Sequence, residues 1–218
     1  MKHFISRRNF LKAVGVTAAA SAMAAAVPQA SAGFLTGKDA AVTILYTNDV
    51  HTYIDHKSPK LTYAAIAAMK QGYVDEGKPV LLVDAGDHIQ GTAYGSMDDG
   101  ATIIELMNEA GYDIATLGNH EFDYGMARAK AIIKEADFPY VSCNWVDLRT
   151  GLRVLPAVKL FPAGGKWIAF VGITTPESFT KSTPAYFMNA KQTKYIYDIL
   201  GGDDGRKLYD AVQKGKIG

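Results

Sequence analysis

Pro79-Val80-Leu81-Leu82-Val83-Asp84-Ala85-Gly86-Asp87-His88-Ile89-Gln90-Gly91 decides how this chain is read. Pro79 to Val83 is a continuous apolar run, as expected of a strand buried on both faces. It stops at Asp84, and Gly86 then lets the chain turn sharply into Asp87 and His88. The same grammar occurs on either side. Ala41 to Tyr46 is a β-rich run that leads into Thr47-Asn48-Asp49-Val50-His51. Tyr112 to Leu117, a weaker strand, leads into Gly118-Asn119-His120-Glu121-Phe122-Asp123-Tyr124-Gly125. Helical patterns lie between the strands. Ser58-Pro59 reads as an N-cap with proline at the first helical position, followed by Leu61, Ala65, Ala68 and Met69. Asp98-Asp99 precedes a helix carrying Ile103, Ile104 and Met107 on one side. Strand–helix alternation predicts an α/β layered fold. In such a sheet ligands bind beyond the carboxyl ends of the strands, so three strands deliver Asp, His and Asn to one edge.

Further along, Met126 to Ala136 reads as a helix that ends before Phe138-Pro139. A short strand is expected around Tyr140-Val141-Ser142. Val154 to Phe161 and Lys166 to Ile173 read as a strand pair turning at Gly164-Gly165. With 218 residues, 48% hydrophobic and 21% charged, the chain has a globular composition for one domain or at most two. Its 23 Lys+Arg nearly cancel 22 Asp+Glu, which removes the basic footprint of a protein that binds nucleic-acid polymers. A lone cysteine, Cys143, excludes an intrachain disulfide and a cysteine-based zinc cluster. No apolar run reaches the roughly 20 residues that a stable membrane span requires.

Residues 1–32 read as an address rather than as structure. Ser6-Arg7-Arg8-Asn9-Phe10-Leu11-Lys12 precedes an alanine-rich stretch that ends at Ala30-Ser31-Ala32, a small-x-small cleavage site. Paired arginines before Phe-Leu-Lys match a twin-arginine signal. The expected mature chain is 33–218, periplasmic or extracellular, carried out by the twin-arginine export machinery. Removing Lys2, Arg7, Arg8 and Lys12 without a single acid leaves it net negative.

Carboxylate, imidazole and amide oxygen, with no thiolate, suit a divalent cation such as zinc, manganese or iron. At this point the motifs identify a family. Asn48-Asp49-Val50-His51, Gly86-Asp87-His88-Ile89-Gln90-Gly91 and Gly118-Asn119-His120-Glu121-Phe122-Asp123 resemble the calcineurin-like metallophosphoesterases, and more narrowly their secreted 5′-nucleotidase branch. Gly172-Ile173-Thr174-Thr175-Pro176-Glu177 is similar to that branch as well. The resemblance implies a sandwich of two sheets flanked by helices. It also implies two divalent metal ions (Mn2+, Zn2+ or similar), with Asp49 and His51 on the first, Asp87 bridging and Asn119 on the second. His120 and Asp123 would be the catalytic pair. Such a pair of cations holds a phosphate oxygen and a hydroxide that attacks phosphorus. The implied reaction is hydrolysis of a nucleotide or another phosphate ester.

Several residues keep two readings. Asp123 either supports His120 or caps the helix that starts near Gly125. His88 and Gln90 order the Asp87 loop, touch substrate, or are solvated. Asp84 backs a ligand or merely ends a strand. His56 reads as a surface residue, Cys143 as a small packed side chain, and Tyr186-Phe187 and Tyr195-Ile196-Tyr197 as packing rather than base stacking. Asp203-Asp204 opens a helical pattern with Leu208 and Val212. No histidine follows His120, whereas the family continues with further His motifs and a nucleoside-binding domain. The expectation is therefore an amino-terminal part with its carboxyl half missing and reduced or no activity. The alternatives are a non-catalytic metal-binding remnant, or a related hydrolase of cyclic nucleotides, sugar phosphates or thiosulfonate esters.

Overall fold

The computed structural model describes residues 41–53 and 62–199. Three parallel strands organise it: β1 (Thr43–Thr47), β2 (Val80–Asp84) and β3 (Ile114–Ala115), in the order β1-β2-β3. Thr47 pairs with Asp84 and Asp84 with Ala115, so the three carboxyl ends are level. Val80, Leu81 and Leu82 are buried, as the continuous apolar run predicts for the central strand. β3 is shorter than expected. Beyond it Tyr140 makes a single parallel bridge to Ala115 instead of founding a strand over 140–142.

Helix α1 (Tyr63–Asp75) connects β1 to β2. Its N-cap is Thr62, whose Oγ1 accepts from the Ala65 N–H at 3.2 Å, so the expected cap at Ser58-Pro59 is corrected; those two residues lie outside the described ones. The buried face is also rephased, to Tyr63, Ile66 and Lys70, while Met69 is exposed. Alanines on every side of this helix leave its apolar phase weakly marked. Lys70 helps to set it: the buried ammonium donates to the Gly111 carbonyl (2.7 Å) and to the Asp113 carboxylate. Helices α2 (Ala93–Ser96) and α3 (Ala101–Ala110) connect β2 to β3. Ile103, Ile104, Met107 and Ala110 of α3 are buried, and the helix stops at Gly111 in the left-handed region (φ 82°). Helix α4 (Met126–Glu135) follows β3, as expected.

The rest of the described chain is mostly short pieces. β4 (Val146–Asp147) lies between β5 (Leu152–Arg153) and β8 (Tyr197–Asp198), a small antiparallel sheet that two-residue strands cannot announce through alternation. The predicted hairpin is present as β6 (Val158–Ala163) and β7 (Lys166–Val171). Gly164 and Gly165 both have positive φ, as a type I′ turn demands. It begins later than predicted because the Val154 N–H donates to the Trp145 carbonyl instead (2.8 Å). Helix α5 (Ser178–Lys181) and a 3₁₀ turn over Pro184–Phe187 precede β8.

An aromatic cluster underlies the strand tips. Phe122 packs edge-on against Trp145, with centroids 5.3 Å apart, and against Phe187 at 5.0 Å. Tyr197 is buried beside Trp145. Phe187 and Tyr197 are therefore packing residues, as read, whereas Tyr186 and Tyr195 are exposed. Cys143 is half-buried. The Asp203-Asp204 pattern, His56 and the 1–32 segment lie outside the described residues. Among the described residues no helix is long and apolar enough to cross a membrane.

Candidate metal centre

Beyond β1 and β2 the backbone takes the left-handed region at non-glycine residues: Asp49 (φ 52°), His51 (φ 48°), Thr52 (φ 58°) and Asp87 (φ 59°). Such residues cost of order 1–3 kcal/mol each and persist only where their surroundings hold them. The bracing is visible. The Asp49 N–H donates to the Gly86 carbonyl at 3.2 Å and the His51 N–H to the Asp87 carbonyl at 2.9 Å. The third tip is tied in by the His120 N–H, which donates to Asp87 Oδ1 at 2.8 Å.

This bracing brings His51, Asp87 and His120 together, with one potential ligand atom from each lying within 4.8 Å of the others. Their partners determine which atoms are available. His51 Nδ1 sits 2.9 Å from the Gln90 carbonyl, an acceptor only, so Nδ1 carries the proton and Nε2 keeps its lone pair. His120 Nδ1 is 2.5 Å from Asp123 Oδ2, and the two imidazole rings meet edge-on at 4.8 Å. Asp49 lies at the rim: Oδ1 is 3.9 Å from His51 Nε2, and Oδ2 accepts from Asn48 Nδ2 at 2.6 Å. Asn119 is buried, and its Nδ2 has no partner among the described residues. Nitrogen and oxygen of such an amide exchange places by a flip, so an orphaned amide end beside a cluster of acids and imidazoles fits a cation ligand.

Electrostatics point the same way. Burial, the Glu121 carboxylate and the Asp49 carboxyl push Asp87 up to about 6, against the opposing hydrogen bond and charge of His120. What His120 supplies does not offset the burial and the neighbouring carboxyl groups. The native state thus holds a proton on Asp87 that the unfolded chain has already lost. The contribution of Asp87 to stability is then expected to fall as pH rises from about 4 to about 6. Chemical unfolding across that window should show the decline in the metal-free chain, and Asp87→Asn should flatten it.

Beneath the centre lies a buried polar layer. Glu121, with no exposed surface, accepts from three backbone N–H groups: Asp87 (2.9 Å), His88 (2.8 Å) and Gly118 (2.7 Å). His88 is equally buried, its Nδ1 2.8 Å from Asp84 Oδ1 and its Nε2 2.8 Å from the Tyr140 hydroxyl. Burial opposes charge on this imidazole, but Glu121 and Asp84 outweigh it and hold its pKa at about 9. Asp84 in turn accepts from the Thr47 hydroxyl at 2.6 Å and the Gly86 N–H at 2.8 Å.

The open readings now separate. Asp84 backs the Asp87 loop, and His88 orders it from below, out of substrate's reach. Gln90 contributes its carbonyl, on His51. Helix α4 is capped by Gly125, without a side-chain bond, so Asp123 is free of the capping role and holds His120. Asp123 itself accepts from Ser182 Oγ at 2.9 Å. Ser182, Tyr140 and the clamp made by Glu121 escape the sequence reading. Glu121 stands inside a quoted motif, but the burial that marks it out belongs to the fold; Ser182 comes from a distant polar stretch that carries no signal.

Residues 42–199 match the calcineurin-like phosphoesterase family. A snake venom 5′-nucleotidase of Gloydius brevicauda is 34% identical over 163 residues, covering 67% of this chain and 28% of that protein. The 5′-nucleotidase of Homo sapiens is 35% identical over 161 residues, or 66% of this chain and 28% of that protein. Among solved structures, a 5′-nucleotidase precursor from Thermus thermophilus superposes with a TM-score of 0.63 at 26% identity, covering 80% of this chain and 35% of the other. The chain thus spans little more than a quarter of the length of these two curated relatives. The fold, the three strand tips and the match across 42–199 agree: this chain belongs to the calcineurin-like phosphoesterase family.

Proposed function

We propose that the chain carries the catalytic face of a metal-dependent phosphoric-ester hydrolase acting on nucleotides. The observation that supports this most directly is the convergence of His51, Asp87 and His120 from three separate strand tips. Asp49 and His51 would hold one divalent cation, Asp87 would be shared with a second, and Asn119 would bind the second through its side-chain oxygen. When bound, the cations supply Lewis-acid stabilisation of the phosphoryl oxygens and a water acidic enough to attack phosphorus.

The protein's own residues do the rest. His120 is gripped at Nδ1 by Asp123 and at its backbone N–H by Asp87, which leaves Nε2, when the ring is doubly protonated, to donate to a phosphoryl oxygen or to the departing alkoxide. Asp123, anchored by Ser182, keeps that ring from turning away. Asp87 brings charge where two cations would repel each other, since each of its oxygens can face one of them. The exported location rests on Arg7-Arg8 and the Ala30-Ser31-Ala32 site, with residues 1–32 as the twin-arginine signal and 33–218 as the phosphoesterase segment.

The test is phosphate release from a nucleoside monophosphate by the purified chain with added Mn2+ or Zn2+. Metal-dependent turnover that disappears with chelator, at whatever reduced rate this segment sustains, is the result that supports the proposal. A chain that binds Mn2+ tightly yet never turns over would favour the non-catalytic metal-binding reading instead.

A further inference from the structure

We infer that Glu121 is a positioning residue, fixing the spacing between the Asp87 tip and the Asn119–His120 tip and acting on a bound cation only through them. The inference rests on reading the site as a metal centre. Its geometric basis is a reciprocal tie. Asp87 sends its carboxylate across to the His120 N–H at 2.8 Å, and Glu121 sends its own back to the Asp87 N–H at 2.9 Å. The same Glu121 oxygen, Oε2, also accepts from Gly118 at 2.7 Å, while Oε1 accepts from His88 at 2.8 Å. One side chain thus joins the loop after β2 to the loop after β3.

Charge and burial make the choice of residue specific. Three N–H donors converge on Glu121, and only an ionised carboxylate offers acceptors on both oxygens with no hydrogen in the way. A glutamine would turn an NH2 group toward at least one of these donors and leave it unpaired, a costly defect at a site without solvent. The carboxylate is not isolated either. His88 Nδ1 lies 3.4 Å from Oε1 and 2.8 Å from Asp84, so the imidazole stands between two buried acids. Glu121 is also one residue from His120, within the 3₁₀ turn His120–Phe122. Any shift of its carboxylate therefore moves a candidate ligand on each side.

Groups that orient ligands without touching the metal typically cost 10- to 100-fold in affinity when removed. Calorimetric titration with Mn2+ alone is expected to show a loss of about that size for Glu121→Gln in the full chain. Glu121→Asp keeps the charge but is one methylene short of spanning both loops, and it should fail to restore affinity. Ile132→Ala, a core truncation in α4, serves as a control for general destabilisation and should bind Mn2+ like the unaltered chain. In the metal-free protein, amide exchange at Asp87, His88 and Gly118 should accelerate in Glu121→Gln while the β6–β7 hairpin is unchanged. Unaltered Mn2+ affinity in Glu121→Gln, or an equal loss in Ile132→Ala, would overturn the assignment. If the unaltered chain takes up no Mn2+, the metal reading falls, and unchanged exchange at the three amides would show separately that Glu121 ties nothing. Should Glu121→Gln not fold, Glu121→Asp carries both measurements to the same decision.

Discussion

His120→Ala is expected to lower kcat for phosphate release by about 10²- to 10⁴-fold, the range general acid–base groups contribute, while Mn2+ affinity stays within about threefold. The two readouts are needed because the site allows His120 two jobs. Its ring is close enough to His51 and Asp87 to share a cation with them, yet its Nδ1 is committed to Asp123 and its backbone to Asp87. A residue that serves the phosphoryl group affects turnover; a ligand affects metal uptake. If affinity collapses along with kcat, His120 is a ligand and its assignment to proton transfer is wrong. Asp123→Asn should have a milder effect in the same direction, because the ring loses a charged partner while the side chain at 123 keeps its anchor on Ser182 and the His120 N–H keeps Asp87.

The second large effect is expected from a single methyl group. At Gly86, with φ at 105°, an added Cβ would lie 2.4 Å from the Gly118 nitrogen, a backbone atom with no room to retreat. Left-handed strain of about 1–2 kcal/mol adds to an overpacking cost of about 1–3 kcal/mol. Gly86→Ala is therefore expected to lose on the order of 3 kcal/mol in urea unfolding at unchanged m-value. Gly118→Ala makes an informative contrast. Its methyl would sit 2.3 Å from Asp87 Oδ1 and 2.7 Å from Cγ, side-chain atoms that can swing aside, and 3.0 Å from the Asp87 nitrogen, a milder backbone contact than the one at Gly86. That variant should keep more of its stability and lose its Mn2+ affinity. Equal stability losses in the two variants, with metal binding intact in Gly118→Ala, would show that the loops are not packed as closely as this.

The legible and illegible parts of the chain differ for physical reasons. β2 is apolar without interruption because both its faces are covered, and a glycine followed by an acid after it marks a turn at a sheet edge. The places of Asp49, His51, Asp87 and Asn119 at strand ends were therefore legible, while their assignment as ligands rests on the family resemblance and stays a proposal. Helix α1 was harder, since alanine satisfies every face and its orientation is set by Lys70 reaching a carbonyl more than forty residues away. β4, β5 and β8 are two residues each, too short for a period to register. Glu121 and Ser182 act through backbone N–H groups and a neighbouring carboxylate brought near only by folding. Contacts of that kind follow from tertiary geometry and leave no spacing to recognise.

His51, Asp87 and Asn119 come from tips separated by whole strand–helix units. An ion held between two of these tips would join distant stretches of polypeptide as a removable cross-link. At a free concentration one hundred times its dissociation constant, it would add about 2.7 kcal/mol to the folded form. The firmness of this molecule would then be set by the medium around it, greater where the ion is plentiful and less where a chelator competes.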